Sequence, residues 1–260
     1  MSIPVLLTLE DDCARSGAVM DKLKINSIDH WVEVVDRHQL YLQELPAADA
    51  GHGRAILLLH GVFSNGRFFF NARQQGAARY FHDQGYRVFI GNLRGHGRSR
   101  WPAQTAKHWD WSFDTYVEQD IPALLRFVQA RHNGLIYVLA HSFAGYASLV
   151  ALGLSPDLQT RLAGLVLLAA AVNDYSDGGL GKRVQLPLAS LIAQVYGRMP
   201  GKRLKLGPDD EPKALMRQFA RWARHGHFNS LDGGRDYWRS LAAVTLPVYA
   251  AVGAKDAYHA

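Results

Sequence analysis

The sequence predicts an α/β fold: a mostly parallel central sheet with flanking helices, an inserted helical cap, and a last strand and helix apparently missing from this chain. Three observations carry that expectation. Apolar runs of strand length at 55–59, 136–140 and 164–169 lack the alternation of a one-sided sheet, as strands covered on both faces do. Stretches of helical period separate them, which is the pattern of parallel strands with crossover helices. Polar or glycine-rich stops at His60, Gly91 and Ser142 would meet at the carboxyl edge of such a sheet, where ligands bind.

The elements follow in order. The first 27 residues show no period and read as a segment draped over the surface. Residues 31–35 and 40–45 read as strands, and Asp36-Arg37-His38 between them suits a hairpin turn. Residues 47–54, with Gly51 and Gly53, read as a loop. The strand 55–59 ends in His60-Gly61-Val62-Phe63. Residues 72–84 look helical, and the strand 87–90 runs into Gly91-Asn92-Leu93-Arg94-Gly95-His96-Gly97. Over 116–131, Tyr116, Ile121, Leu124, Leu125 and Val128 keep helical spacing. Asp120 and Pro122 lie near that helix's start, where a carboxylate and a proline are tolerated. A strand over 136–141, a helix over 144–154 and a strand over 164–169 complete the alternation. It then breaks: 173–236 has helical patches at 186–196 and 214–225, no strand between them, and Pro187, Pro200, Pro208 and Pro212 as punctuation. Residues 246–253 resume as a strand. The expected division is a first core part at 28–172, a helical cap insertion at 173–240 and a second core part at 241–260.

A chain of 260 residues can bury a large core and carry such an insertion. The single cysteine, Cys13, excludes an internal disulfide and a cysteine-only metal site. No apolar run approaches the roughly 20 residues that span a membrane. Residues 4–9 are apolar, but nothing basic precedes them and acidic residues follow, so the expectation is a cytoplasmic protein without a secretory signal. The formal charge is +6, and residues 177–240 supply it, with twelve Lys and Arg against six Asp and Glu. That segment reads as a solvated helical face or as a surface for weak contact of the basic cap with anionic interfaces. No helix-turn-helix, zinc-finger or RNA-binding aromatic signature accompanies the charge, so nucleic acid is not an expected partner. His225-x-His227 lacks a third ligand nearby, and Gly95-His96-Gly97 lacks the third glycine of a dinucleotide fingerprint, so neither metal nor cofactor is expected.

Ser142 stands where the strand 136–141 gives way to a helix, with Ala140 and Ala144 two positions either side. Strand, sharp turn, serine and helix describe a nucleophile elbow, here with alanine in the places usually held by glycine. A serine before a helix also serves as an N-cap, although a cap does not need small neighbours. As a nucleophile, the hydroxyl needs a base within hydrogen-bond reach.

From about Trp31 to its end, the chain resembles the α/β-hydrolase superfamily. Four landmarks occur in the family's order: Leu59-His60-Gly61-Val62, Asn92-Leu93-Arg94-Gly95-His96-Gly97-Arg98-Ser99, the Ser142 turn, and Val252-Gly253-Ala254-Lys255-Asp256. The stretch Val88-Phe89-Ile90-Gly91-Asn92-Leu93-Arg94-Gly95, with Trp111-Ser112-Phe113-Asp114-Thr115-Tyr116 and Asp120-Ile121-Pro122-Ala123 after it, is similar to the acid lipase and steryl esterase group. The resemblance implies a serine hydrolase that cleaves carboxylic esters, lipid-like or hydrophobic, through an acyl-enzyme on Ser142. It implies an oxyanion hole from the amides of Val62 and Phe143, and local scaffolding roles for His60 and His141. Asp256 takes the place of the acid, with Asp174 as the alternative. The family's basic histidine follows one more helix and strand, roughly 30 residues that this sequence does not hold. His259 is the candidate within the chain, with His225 and His227 behind it; otherwise the base lies beyond residue 260. Phe63, Phe68, Phe69 and Phe70 either wall an acyl pocket or pack in the core. An acyltransferase on the same fold and a non-catalytic binding protein are the alternatives.

Overall fold

A computed structural model describes residues 24–47, 53–101, 109–170 and 180–254. In chain order the strands are β1 (Ile28–Glu33), β2 (Gln39–Leu45), β3 (Arg54–Leu59), β4 (Arg87–Gly91), β5 (Leu135–His141), β6 (Leu162–Leu168), β7 (Arg198–Met199), β8 (Glu211–Pro212) and β9 (Val248–Ala251). Among the described residues they form a seven-stranded sheet in the order β1-β2-β4-β3-β5-β6-β9 and a separate β7-β8 ladder. The first two pairings, β1 with β2 and β2 with β4, are antiparallel; β4, β3, β5, β6 and β9 run parallel.

Helices make the parallel crossovers. α1 (Ala77–Asp83) links β3 to β4. α2 (Phe113–Thr115) passes through a wider π turn (Tyr116–Asp120) into α3 (Ile121–Arg131) and links β4 to β5. α4 (Phe143–Leu154) links β5 to β6. Between β6 and β9 the chain forms α5 (Leu180–Tyr196), α6 (Lys213–His225) and α7 (Tyr237–Ser240).

Side chains alternate across a strand, so a strand covered on both faces feeds two cores. Ala55, Leu57 and Leu59 of β3, with Ile136, Val138 and Ala140 of β5, join the cluster beneath α3 and α4. Ile56 and Leu58, with Val88 and Ile90 of β4, pack with Phe69, Phe70 and Ala78 on the other face. This is why the sequence runs are continuous rather than alternating.

Three details differ from the sequence expectation. The helix foreseen over 72–84 starts only at Ala77. Asn71 Oδ1 accepts from the amides of Arg73 and Gln75 and holds these residues in a turn, a local bond that competes with helix. The helix after β6 starts at Leu180 and runs through Pro187, where a start near 186 was expected. A β7-β8 ladder of two residues per strand lies where no strand was foreseen; pairing so short leaves no period in a sequence.

Between β4 and α3 a buried cation is fixed. The Arg94 guanidinium, fully buried, donates from Nε and Nη2 to Asp120 Oδ1 at 2.8 and 2.6 Å, from Nη1 to Asp36 Oδ2 at 2.5 Å, and from Nη2 to Gln119 Oε1 at 2.9 Å. Asp120 Oδ2 also accepts from the Arg94 amide at 3.0 Å. Removing one partner of a buried pair strands the other charge. Asp120→Ala should therefore cost about 3–5 kcal/mol, read as a lower urea midpoint at unchanged slope.

Candidate active site

The ends of the three central strands stand level: Leu59 pairs with Gly91 on one side and with Ala140 on the other. The chain leaves β3 toward β4 and later returns to β5 on the opposite side, so a crevice opens beyond β3 and β5. Ser142 sits there, one residue past β5, with φ 51 and ψ −122. Such left-handed backbone is uncommon outside glycine, and strain of this kind gathers at functional sites. The turn is closed by the Ser142 amide on Leu168 O at 2.9 Å and by the Gly145 amide on Ser142 O at 2.8 Å. Ala140 and Ala144 are fully buried. Ser142 holds the N-cap position of α4, yet its hydroxyl makes no capping bond. Among the described residues nothing hydrogen-bonds it.

The loop after β3 faces this turn. A Cβ on Gly61 would lie 3.0 Å from Ser142 Cβ and 3.1 Å from His141 Nδ1, so glycine lets the loop approach the turn closely without crowding it. The loop is held from the far side of the sequence, by the segment between β6 and β9. Phe63 has φ 57, and its amide donates to Glu211 Oε1 at 2.5 Å. Its carbonyl accepts from the Asp209 amide at 3.2 Å. The Asp209 carboxylate accepts from Asn65 Nδ2 at 2.6 Å and from the Gly97 amide at 3.1 Å. Neither Asp209 nor Glu211 was singled out in the sequence; each stands more than a hundred residues from its partners, among prolines, with no motif around it.

Partners decide the charge of each histidine here. The His60 ring donates from Nδ1 to Gly61 O at 2.9 Å and accepts at Nε2 from the Leu93 amide at 3.2 Å, so it is neutral and bound to backbone at both nitrogens. Burial pushes it down to about 3, and the charge on His96 adds to that. His96, whose ring lies 5.0 Å from that of His60, meets acceptors at both nitrogens: Arg94 O at 2.8 Å and Glu211 Oε1 at 3.0 Å. Both nitrogens therefore carry protons. Burial alone would lower its pKa, but the Glu211 carboxylate, with Asp209 beyond it, outweighs burial and holds His96 above the ordinary histidine value.

The other sequence candidates are dispersed. Asp174, Asp256 and His259 lie outside the described residues. His225 and His227 are exposed at the carboxyl end of α6. The four phenylalanines separate: Phe69 and Phe70 are core, Phe63 is gripped as described, and Phe68 is exposed and stacks on His141 at 4.5 Å. An apolar cleft of about 200 Å³ lies along α4, lined by Tyr146, Leu149, Leu167, Ala170, Phe228 and Trp238. The larger cleft, about 650 Å³, lies against Asn65, Arg67, Asn92, Arg98 and Lys202 and does not include Ser142. Among the described residues no group of three or more His, Cys, Asp or Glu could hold a metal ion. No helix among them is long and apolar enough to cross a membrane.

Comparison with known proteins gives related results at two levels. A family profile described as serine aminopeptidase, S33, matches residues 51–259. Triacylglycerol lipase 2 of Arabidopsis thaliana is 31% identical over 142 residues, 48% of this chain and 34% of that protein. Lipase member N of Homo sapiens is 25% identical over 188 residues, 70% of this chain and 47% of that protein. The chain thus spans between a third and a half of the length of these relatives. Among solved structures, a thermophilic esterase from Thermogutta terrifontis aligns with a TM-score of 0.57 at 16% identity, covering 89% of this chain and 82% of that one. A carboxylesterase from Nitrososphaera gargenis aligns with a TM-score of 0.53 at 17% identity, covering 88% and 82%. At these identities the structural likeness is one of fold.

The His96 environment gives a prediction with a definite sign. A histidine whose folded pKa is raised adds stability that is complete below its unfolded value, about 6.5, and is lost as pH rises through the folded value. The stability gap between wild type and His96→Gln should be widest near pH 6 and narrow steadily toward alkaline pH. Urea midpoints at several pH values test this; a gap independent of pH would contradict a charged His96.

Proposed function

The chain belongs to the serine aminopeptidase S33 family of the α/β-hydrolases, and we propose that it hydrolyses carboxylic esters through an acyl-enzyme on Ser142. The observation that carries this reading is the Ser142 backbone: left-handed, past the end of a central strand, facing Gly61, with a hydroxyl not spent on capping α4. The curated relatives named as lipases and the structural neighbours named as esterases point to an ester rather than another acyl compound.

In the proposed reaction, Ser142 Oγ attacks the ester carbonyl carbon and its proton passes to a base. The amides of Val62 and Phe143 bind the oxyanion that forms; losing one such donor typically costs about 2.7–4 kcal/mol. The alcohol leaves with the proton, and water then attacks the acyl-serine to release the acid. Asp256 orients the base, for which His259 is the candidate in this sequence. The segment at 173–240 acts as a cap over the crevice, and the cleft along α4 offers an apolar wall to a hydrophobic acyl part.

The cap also carries a face suited to substrates that collect at interfaces. Val184, Leu188, Leu191 and Val195 recur at spacings of four, three and four along α5 and are all more than half exposed. At the helix end, Tyr196 shares a cleft with Arg198, Lys202 and Arg203, and the next turn exposes Leu204, Lys205 and Leu206. An apolar stripe with cations at its end fits an anionic lipid surface.

Two experiments test the reading. Ser142→Ala should lower turnover of a p-nitrophenyl ester by about 10⁴-fold or more, and a fluorophosphonate probe should label Ser142 in the wild type alone. Wild-type turnover in the variant would sink the assignment. Cleavage of aminoacyl anilides in place of esters would move it to peptides, as the family description allows. Partition of the acyl group to added alcohol would make it a transferase. Separately, Leu188→Asp with Leu191→Asp should cut hydrolysis of an ester borne on anionic vesicles by about tenfold or more and leave a short soluble ester unaffected. An equal effect on both substrates would refute the interfacial face.

A further inference from the structure

Phe63 is an unusual residue to find at φ 57, since a side chain there costs on the order of 1–3 kcal/mol and persists only where its surroundings over-determine it. Those surroundings come from one stretch, residues 201–211. Its Glu211 takes the Phe63 amide, and its Asp209 amide binds the Phe63 carbonyl. The ring lies against Gly201, where a Cβ would come within 2.5 Å of Phe63 Cδ1, and the Phe63 carbonyl lies against Gly207, where a Cβ would come within 2.2 Å of Phe63 O. The far end of the same loop is tied by Asn65 to Asp209. Phe63 is therefore held at its amide, its carbonyl and its ring, and it directly follows Val62.

We propose that this grip presets the Val62 amide toward Ser142, which makes Glu211 a positioning residue for oxyanion binding. The inference rests on the reading of Ser142 as the nucleophile and goes beyond it in naming what orients the donor. Preorganised donors stabilise a transition state because they do not have to reorient as charge develops, and a misplacement of about 1 Å can cost roughly 10²-fold. Glu211 Oε1 accepts from two donors at once, the Phe63 amide and His96 Nε2, and both it and His96 are buried. The charged groups around this pair are Asp209, two residues before Glu211 and paired with Lys202, and Arg94 with Asp120 behind the His96 loop. The neutral neighbours are His60 and the buried Tyr116.

The test uses Glu211→Ala in the full chain with a short soluble ester. The expected result is a fall in kcat of about 10²-fold with KM within about twofold of wild type. The affinity for a trifluoromethyl ketone, whose serine adduct carries an oxyanion, should fall by the same factor as kcat/KM. Asp157→Asn serves as the reference. It removes the exposed Arg126–Asp157 pair, outside residues 201–211, and it should keep wild-type kcat. Three outcomes would overturn the proposal: unchanged kcat in Glu211→Ala, which leaves the Phe63 amide without this acceptor, lost kcat with ketone affinity intact, or an equal loss in Asp157→Asn. Hydrogen exchange at the Phe63 amide supplies a readout that needs no turnover. Protection should drop in Glu211→Ala, which removes the acceptor of that amide, and retained protection would refute the grip even if Ser142 proved not to be the nucleophile.

Discussion

Parallel pairing of β3 with both of its neighbours sets the level at which the polar chemistry of this molecule begins. Leu59 is opposite Gly91 on one side and Ala140 on the other, so three chains leave the apolar sheet at one height. A crossover must carry each chain to the far end before the next strand starts, and the loops at the near end are left free to face one another. Gly61 then meets Ser142, the His60 ring reaches the Leu93 amide, and His96 lies against His60. A slip of one residue in β3 would exchange Leu57 and Leu59 with Ile56 and Leu58 between the two cores, so packing on both faces holds the height of the edge.

On that edge, ionisation follows the partner rather than the residue type. His60 and His96 are both buried histidines in glycine-containing turns, yet one is neutral and the other charged. The difference is a single acceptor: His60 Nε2 meets an amide N–H, while His96 Nε2 meets a carboxylate. Arg94 repeats the theme, with carboxylates from the β1–β2 turn and from the turn before α3 closing around a buried guanidinium. Buried charges persist only when paired in this way. The polar edge is thus a set of matched charges whose members come from the turn between β1 and β2, the loop after β4, α3's lead-in turn and the segment after β6.

What could be read from the sequence follows from how local each signal is. The strand runs at 55–59 and 136–141, the turn at Ser142 and the amphipathic helix after Tyr116 are written in adjacent residues, and the fold and the α/β-hydrolase resemblance were legible from them. The start of α1 was missed because Asn71 diverts the backbone through a side chain two and four residues away. The role of Phe63 was not legible at all. It depends on Gly201, Gly207, Asp209 and Glu211, whose spacing along the chain has no period and whose nearest distinguishing marks are prolines. His96 looked like part of a motif, and only Glu211, 115 positions on, shows that it carries a proton.

The turn around Gly201–Gly207 has two sides with different obligations. Its inner side meets Phe63 with two hydrogens in place of side chains, and the residues just after it add the Asp209 amide and the Glu211 carboxylate. Its outer side presents Arg203, Leu204 and Lys205 to solvent, while Lys202 joins the two through its ion pair with Asp209 at 3.6 Å. Charge, bulk and polarity at the three exposed positions are thus separate from the packing that fixes Phe63, so a short stretch of chain combines a solvent-facing surface with a tightly held interior.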